Sequence, residues 1–322
     1  MKKLIPIAVI LSLAVWSGCS SDDPTPTEPP PPPPPVRVVA NTAVGAPTLS
    51  SVDETIWANV TEFTLDISTQ NSPKLPAPAS SAVSDSVRVK AIVSGGELYL
   101  RVEFDDNDLN LLKNHYVLSP SGFLNFERDP TSHEDQLFVM FSGLPNGDLD
   151  VWHWRSLETA PAGLAEGRTL INDTILVTDS GAQKVVWDNT EVNSRPKWAH
   201  KDSSAFTGEI LYKEDTSGFD RYTGDTNWTV GHIIPGYYID TNVRNTVQSF
   251  PESRWDIFTV SAFDTVNEKI TVVLKRKLNT TYSEDLVMAD SVQFRIGLFD
   301  NQDKFTLGGS RRGYTDLFWL IL

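Results

Sequence analysis

Cysteine is almost absent from this sequence, since Cys19 is the only one among 322 residues. A single thiol cannot form a disulfide within the chain, and it cannot supply a metal site built from several cysteines. The motif C-x-x-C-H is also missing, which excludes covalently attached c-type haem. A cofactor of the folded part therefore cannot be attached through cysteine.

Catalytic motifs are equally scarce. The sequence contains no G-x-S-x-G nucleophile turn and no glycine-rich phosphate loop, and His133-Glu134 is not continued into H-E-x-x-H. A carboxylate pair for glycoside hydrolysis stays open in so acidic a chain, but no pair stands out. We predict an electron-transfer or binding protein rather than an enzyme, with a catalytic role as an open alternative.

Positive charge is in deficit as well. Lysine and arginine number 27 against 42 aspartates and glutamates, so the formal net charge is -15. Such a surface repels nucleic acids and anionic lipids, and neither is predicted as a partner.

The N-terminus has the pattern of an exported lipoprotein. Lys2 and Lys3 precede a short apolar run, and Ser17-Gly18 leads into Cys19, so residues 1–18 are predicted to be a signal peptide. Cys19 is the predicted lipidation site, although Trp16 replaces the leucine usual in such a motif. The alternative is an ordinary signal peptide with an incidental cysteine. No aspartate follows Cys19, which favours an outer-membrane lipoprotein that faces the periplasm or the cell surface.

A proline-rich tether follows this predicted anchor. Residues 19–36 include seven consecutive prolines, Pro29 to Pro35, which favour an extended polyproline II conformation. The membrane is then contacted through the lipid alone. Residues 37–322 are predicted to form one domain, because no second linker interrupts them.

Strand patterns dominate that domain. Two alternating runs joined by Ser94-Gly95-Gly96 predict a hairpin. Further strand-like runs continue to the C-terminus, among them Gln136 to Phe141, Leu170 to Thr178 and Ser291 to Phe299. Residues 109–116 could form one short helix. The spacing of the runs predicts an all-β sandwich of two antiparallel sheets, with long loops near 189–204 and 216–227.

The stretch from Leu149 to Arg155 is the main candidate for a site. In a strand, Trp152 and Trp154 share one face, while His153 and Arg155 share the other. The two indoles are either core or the wall of an apolar slot for a planar ligand. Met140 shares a face with Phe138 and is either core filler or a thioether ligand.

A second candidate is the acidic segment at residues 104–110. Asp105, Asp106 and Asp108 could coordinate Ca²⁺, although their spacing does not match an EF-hand. The alternative is a solvated acidic turn.

Several segments, taken in order, resemble the ethylbenzene dehydrogenase-related haem-binding domain of the DMSO reductase-like enzymes. The matching pieces are IWANVTEFTLDI, VRVKAIVSGGELYLRVEFDD, HEDQLFVMF, DVWHWRSLETAPAG, IIPGYYID, VVLKRKLNT and VQFRIGLFDN. The resemblance implies an immunoglobulin-like or DOMON-like β-sandwich that holds one haem b and passes electrons to a redox partner in the cell envelope. In that family a methionine before the Trp-x-Trp strand and a lysine before the last strand bind the iron.

This sequence departs from the family at both of these ligand positions. Residues 143–148 contain no methionine, and Arg311 and Arg312 stand where a lysine is expected. Arginine stays protonated and cannot bind iron. The available substitutes are His153 and Met140, followed by His232 and Lys304. If haem is bound, Trp152 and Trp154 could line its pocket, and Arg155, Arg276 and Arg311 could pair with its propionates.

Two functions therefore remain open from the sequence. The first is a cell-envelope lipoprotein that binds haem b and transfers electrons. The second is a haem-free extracytoplasmic module that binds a small ligand or a carbohydrate at the cell surface.

Overall fold

The alternating runs of the sequence form strands in the computed structural model. It describes residues 37–68, 84–106, 115–120, 122–125, 134–172, 174–182, 184–188, 198–200, 210–213, 233–234, 236–302 and 312–322. The strands are β1 (Arg37–Val39), β2 (Phe63–Ser68), β3 (Ser86–Ser94), β4 (Glu97–Asp105), β5 (Tyr116–Ser119), β6 (Gly122–Asn125), β7 (Glu134–Ser142), β8 (Leu149–Arg155), β9 (Leu164–Ile171), β10 (Thr174–Leu176), β11 (Val186–Asp188), β12 (Trp198–His200), β13 (Ile210–Lys213), β14 (Ile233–Ile234), β15 (Tyr237–Ile239), β16 (Ile257–Asp264), β17 (Lys269–Lys277), β18 (Ser291–Gln302), β19 (Arg312–Thr315) and β20 (Phe318–Ile321).

Ten of these strands form one closed antiparallel sheet. The order around it is β18-β19-β2-β3-β4-β17-β16-β9-β8-β7, and β7 pairs again with β18. Strand β18 makes the closure because it pairs with β7 along one edge and with β19 and β20 along the other. The prediction of an all-β domain is confirmed. The two separate sheets of the predicted sandwich are instead joined by hydrogen bonds into a barrel-like sheet.

Shorter strands extend this sheet or form small separate sheets. Strand β1 runs parallel to β20, and β10 pairs with the end of β9. Three small sheets are formed by β5, β6 and β14, by β11 and β15, and by β12 and β13.

The predicted hairpin between β3 and β4 is confirmed. Gly95 and Gly96 occupy the turn with φ values of 62° and 79°. A two-residue turn with positive φ at both positions suits the twist of a hairpin, and glycine adopts that conformation without strain. All residues from Val87 to Ser94 pair in register with residues of β4.

Strand alternation places the largest hydrophobic cluster inside the barrel. Leu137, Val139 and Phe141 of β7 face inward, as do Trp152 and Trp154 of β8. Each large apolar side chain that is fully buried contributes about 1.5–3 kcal/mol relative to an exposed one. The interior therefore supplies much of the driving force for closure.

Two further clusters cover the outside of the barrel. Val52, Trp57 and Val60 precede β2 and pack against the outward side chains of β3, β4 and β17. On the other side, the outward side chains of five strands form what we call the outer-face cluster: Phe138, Met140, Val151, Leu170, Phe299 and Tyr314.

One α-helix, α1 (Thr241–Ser249), is present in the described residues and was not predicted from the sequence. Its segment is rich in β-branched and polar residues, which have low helix propensity. Asp240 begins the helix by accepting hydrogen bonds from the backbone N–H groups of Asn242 and Val243. Within the described part of the chain, no helix is long and apolar enough to cross a membrane.

The short helix suggested for residues 109–116 is only partly tested. Residues 107–114 lie outside the described residues, whereas Tyr116 begins strand β5. The described residues also contain 3-10 turns at Thr55–Asn59, Pro145–Gly147, Ala160–Ala162 and Ser253–Trp255.

Candidate functional site

Strand β8 divides the residues predicted for a cofactor pocket into two groups. Trp152 and Trp154 belong to the interior cluster, while His153 and Arg155 point to the outside of the same sheet. This alternation agrees with the sequence analysis. Because the sheet lies between the two groups, the tryptophans and His153 cannot line one pocket.

His153 is packed tightly on the outer face. It is 2% exposed, its Nε2 lies 2.9 Å from Gln136 Oε1, and its ring stacks on Phe138 with centroids 4.1 Å apart. Strand pairing places Phe138 on one side of His153 and Glu166 on the other. The imidazole therefore already has a hydrogen-bond partner and a stacking partner within the protein.

Met140 lies on the same face as His153, one pair further along the ladder. Met140 pairs with Val151, and Phe138 pairs with His153, so the two candidate ligands are diagonal neighbours. Two axial ligands bind haem iron from opposite sides of the ring. Diagonal neighbours on one sheet face cannot do this, so the described residues do not fit a haem held between His153 and Met140.

Arg276 lies inside the barrel, away from Arg155. Its guanidinium contacts Asp150 at 2.6 Å and Asp285 at 3.5 Å, and it sits over the Trp152 ring at 4.9 Å from the centroid. The two arginines predicted to pair with the same cofactor therefore occupy opposite sides of the sheet.

The remaining predicted site residues divide between described and undescribed parts of the chain. Asp105 ends β4 and pairs with Arg88 at 2.8 Å, and Asp106 is buried beside it. In the described residues no three His, Cys, Asp or Glu side chains are arranged to hold a metal ion. Outside the described residues lie Asp108, Arg311, His232, Lys304 and Cys19. Calcium binding stays a prediction.

The strongest concentration of charge on the outer face is a group that we call the arginine pocket. Strand β8 contributes Arg155, β9 contributes Glu166 and Arg168, and the 3-10 turn before β16 contributes Arg254. All three guanidinium groups bind the carboxylate of Glu166, which is fully buried. Because Glu166 and Arg168 alternate with inward residues of β9, both side chains project from the same face.

The three arginines bind Glu166 at hydrogen-bond distances. Arg155 Nη2 donates to Glu166 Oε2 at 3.0 Å, and Arg168 donates to the same oxygen through Nη2 at 2.6 Å and Nε at 2.9 Å. Arg254 binds the other oxygen, with its Nε at 2.7 Å. Arg155 also pairs with Glu158 in the turn after β8.

Positive charge exceeds negative charge around Glu166, because three arginines share this one carboxylate. Burial opposes ionisation of Glu166, but the three arginines together hold its pKa below the ordinary value. Burial lowers the pKa of Arg168, Glu166 opposes this, and repulsion from Arg155 and Arg254 adds to the decrease. Arg168 is therefore a buried cation whose charge is incompletely compensated.

A cavity of about 210 Å³ opens beside these side chains. Its lining includes Arg155, Arg168, Arg254 and Lys184 against Glu158 and Glu166, an excess of two positive charges (four minus two). Counting buried Glu134, which accepts hydrogen bonds from the turn after β8, still leaves an excess of one. This excess is unusual in a chain of net charge -15.

The remaining lining of the cavity is apolar. It consists of Val185, Val186 and Trp255. The Trp255 indole donates to Ala182 O at 2.7 Å, and the Arg254 guanidinium lies 5.3 Å from the Trp255 ring. The pocket can thus receive a group that is anionic on one side and apolar on the other.

Of the four residues of the arginine pocket, Arg155 was predicted from the sequence, whereas Glu166, Arg168 and Arg254 were not. The predicted strand began at Leu170, whereas β9 begins at Leu164, so AEGR was not assigned to a strand. A pattern that could have indicated the site is present in this segment: Glu166 and Arg168 lie two residues apart, between apolar residues. Arg254 is distant in sequence, and only the pairing of β16 with β9 brings it close.

Comparison with known families identifies the domain, because residues 54–309 match the family described as ethylbenzene dehydrogenase. The chain belongs to this family. Every residue of the arginine pocket lies inside the matched range. The resemblance inferred from the sequence segments is confirmed at the level of the family.

Comparisons with individual proteins say little about this chain beyond its family. No curated protein sequence matches this family member. Among solved structures, one match is a proposed carbohydrate-binding protein from Bacteroides uniformis. It is 9% identical, the alignment covers 89% of this chain and 99% of that chain, and the TM-score is 0.35.

Proposed function

We propose that this family member is an extracytoplasmic ligand-binding domain, and that the arginine pocket receives an oxyanion of the ligand. The observation that carries the proposal is the convergence of Arg155, Arg168 and Arg254 on a single buried carboxylate, beside a cavity with excess positive charge. Three guanidinium groups present more donors than one glutamate can accept.

One of these donors has no acceptor among the described residues. The Nε–H of Arg155 is buried and has no hydrogen-bond partner within the described residues. A buried donor without an acceptor costs about 1–3 kcal/mol. A carboxylate or sulfate oxygen of a ligand would offset the charge excess of the pocket, and it would satisfy this donor once the Arg155 side chain turns toward it.

The apolar wall restricts the ligand further. Val185, Val186 and Trp255 would contact a ring or a short aliphatic portion next to the anionic group. Small organic acids and acidic sugars, such as uronates, have this combination.

Isothermal titration of the full-length chain in detergent tests this proposal. Glucuronate, sulfate and phosphate are titrated at low ionic strength, with glucose as the neutral control. We expect binding of at least one anion, weakened about tenfold by Arg168→Gln, because a charge-assisted hydrogen bond contributes about 1.5–3 kcal/mol. Binding should also weaken as salt is added.

The matched control is Arg88→Gln, which removes an arginine that also binds two carboxylates but lies on β3, outside the pocket. Its anion binding should equal that of the unaltered chain. Absence of binding to all three anions, or equal loss in both variants, would refute the proposal.

Haem b binding with electron transfer is the second candidate. The family resemblance implies it, and Met140, His153 and Arg155 share one outer face. Since His153 and Met140 do not fit as a pair, one of them would need a partner from outside the described residues, where His232 and Lys304 lie. Bound haem would supply a one-electron redox centre, and Arg155 would hold a propionate.

An absorbance scan separates the two candidates. The full-length chain is expressed with and without added haem precursor and purified in detergent. If haem is bound, a Soret band appears and shifts or disappears in His153→Ala or Met140→Ala. If no band appears after reconstitution with haemin, the second candidate is wrong, and anion binding is unaffected by that result.

A further inference from the structure

The connection between β17 and β18 lies at the end of the barrel where β17 ends and β8 begins. We call residues 278–290 of this connection the strap. Asp285 and Met288 are buried, whereas the other residues of the strap are partly or fully exposed. Met288 packs into the interior cluster of the barrel, and Asp285 brings a carboxyl group to the same end.

Polar contacts hold the middle of the strap against the barrel. Asp285 contacts the Arg276 guanidinium at 3.5 Å and accepts a hydrogen bond from Ser253 Oγ at 3.2 Å. The backbone N–H of Leu286 donates to Asp150 Oδ2 at 2.9 Å, and Arg276 Nη2 donates to Leu286 O at 3.4 Å. The closed position of the strap therefore depends on two charged side chains that face into the barrel, Arg276 and Asp150.

Two further contacts tie the strap to neighbouring loops. Ser180 donates its backbone N–H and its hydroxyl to Glu284, at 3.2 Å and 3.0 Å. The Tyr282 hydroxyl donates to Pro251 O at 2.8 Å. Because Ser180 follows Asp179 in the chain, the strap and the loop that contains Asp179 are attached to each other.

Four carboxyl groups surround Arg276 beneath the strap. Asp150 contacts Arg276 at 2.6 Å and Asp285 contacts it at 3.5 Å, while Asp179 and Asp256 lie within electrostatic range of both Arg276 and Asp285. All four aspartates are 8% exposed or less. If all were ionised, the group would carry a net charge of -3 (one positive minus four negative). A buried charge of this size is costly, so some of the carboxyl groups hold protons while the strap is closed.

Asp179 is confined against strand β9. A Cβ added at Gly167 of β9 would overlap Asp179 Oδ2 and lie 2.9 Å from Ser253 O, so the glycine leaves the room that this carboxyl occupies. The other oxygen of Asp179 accepts a hydrogen bond from Thr178 Oγ1 at 3.1 Å. The confined carboxyl has little room to turn away from Asp285 when it ionises.

Other charged groups near the strap do not neutralise this excess of carboxyl groups. They are Glu252 and Glu284 beside the strap, and Glu97, Lys275 and Lys277 at an adjoining cavity of about 80 Å³. Lys275 pairs with Glu97 at 2.9 Å, and Lys277 is exposed to solvent. Among the described residues, the cation in contact with the buried carboxyl groups is Arg276.

We propose that the strap is a pH-sensitive latch, which is closed over this end of the barrel at acidic pH and released at alkaline pH. Ionisation of Asp179 and Asp256 adds two negative charges near Asp285. The repulsion detaches Asp285 from Arg276 and moves it into solvent. Release opens this end of the barrel, where the Trp152 ring lies beneath the Arg276 guanidinium.

The direction of the response follows from the raised pKa values. Burial, with Asp285 and Asp150 adding to it, raises the pKa of Asp179 to about 7. Burial raises the pKa of Asp256 to about 8, although Arg276 opposes the rise. Once the strap opens and water reaches them, both groups regain ordinary pKa values of about 4, so the closed strap binds more protons than the open one. The contribution of these protons to closure is complete below about pH 4 and is lost as pH rises through 7 and 8.

Hydrogen–deuterium exchange of the full-length chain in detergent, measured by mass spectrometry between pH 6 and 9, tests the latch. Each rate is divided by the intrinsic exchange rate at the same pH. Protection of the strap amides is expected to fall about tenfold or more, because both raised pKa values lie within this range. The amides of β4, which pairs with strands on both sides, are expected to stay protected. Strap amides that remain protected at pH 9, or that lose protection only together with β4, overturn the proposal.

Matched variants identify the groups responsible. Asp179→Asn and Asp256→Asn each remove one titrating carboxyl, and each should reduce the loss of strap protection at pH 9. Asp264→Asn is the control, because it removes an exposed aspartate of β16 and should behave like the unaltered chain. Equal loss of protection in all three variants contradicts the latch, and if either buried variant does not fold, the other decides. The measurement needs no ligand, so its outcome is independent of anion binding in the arginine pocket.

Discussion

At the residue scale, the most unusual feature is a set of buried aspartates around one arginine inside the barrel. Asp150 and Asp285 contact Arg276, and Asp179 and Asp256 lie within electrostatic range of the same groups. One guanidinium cannot compensate four ionised carboxylates. Protonation of some of them at neutral pH is therefore the physical consequence of burying them together.

This cluster should make the protein less stable as pH rises. Burial and neighbouring carboxylates raise the pKa of Asp179 to about 7, and burial raises that of Asp256 to about 8. A raised folded-state pKa means that the folded state binds more protons than the unfolded chain from about pH 4 up to these values. Their contribution to stability is complete below pH 4 and is lost as pH rises through 7 and 8.

Thermal unfolding measured between pH 5.5 and 9 checks this. Stability is expected to fall across the range, and Asp256→Asn should flatten the dependence because the amide does not ionise. The exposed Asp264 is the control, since its pKa is lowered by its hydrogen bonds to Asn267 and Val266 and it titrates below the tested range. An unchanged pH profile in Asp256→Asn would contradict the expectation.

Gly297 permits the close packing of the outer-face cluster. A Cβ added there would lie 3.0 Å from the Tyr314 ring and 3.1 Å from the Met140 methyl group. Gly297→Ala should therefore destabilise the fold by roughly 1–3 kcal/mol through overpacking. Urea unfolding measures the change. Gly45→Ala is the control, because nothing lies within 4 Å of a Cβ added at Gly45.

At the element scale, β8 and β9 show what alternation can and cannot predict. The bounds of β8 and the opposite faces of Trp152 and His153 follow from the period of two. The start of β9 was missed because Glu166, Gly167 and Arg168 interrupt the apolar pattern expected of a strand. Glu166 and Arg168 belong to the arginine pocket. The interruption of the apolar pattern therefore marks the position of the candidate site.

Strand β9 depends on its buried charge. Glu166→Gln would remove the buried counter-ion that Arg155, Arg168 and Arg254 share, and we expect a loss of about 3–5 kcal/mol in unfolding free energy. Chemical denaturation measures it. Glu103→Gln on β4 is the matched control, because Glu103 also contacts three cations but is more exposed. Its cost should be about 1 kcal/mol or less, and similar costs for the two variants would contradict this reasoning.

At the scale of the whole molecule, closure of the sheet positions the outer-face cluster. Strands β18 and β7 pair although they are far apart in sequence. Gln293 pairs with Ser142, 151 residues earlier, and Phe299 pairs with Gln136, 163 residues earlier. This pairing brings Phe299 and Gly297 beside Phe138 and Met140. The sequence predicted both β7 and β18 as strands, but alternation within a strand carries no information about its distant partner.

The predicted anchor also acts at this scale. Cys19→Ser should abolish labelling with radioactive palmitate and release the chain from the outer-membrane fraction, because Cys19 is the predicted attachment point. Ser20→Ala is the control and should remain labelled. Membrane association that persists without labelling would contradict the lipoprotein prediction.

The sequence by itself determined the all-β class, most strand positions, the faces of Trp152 and His153, and the family. These depend on local alternation and on short segments, which the linear chain contains in full. The tertiary structure alone decided that the sheet closes, that Arg155 and Arg276 lie on opposite sides of it, and that Arg254 joins Glu166. Those features depend on hydrogen bonds and ion pairs between residues far apart in sequence, whose pairing is fixed only when the barrel forms.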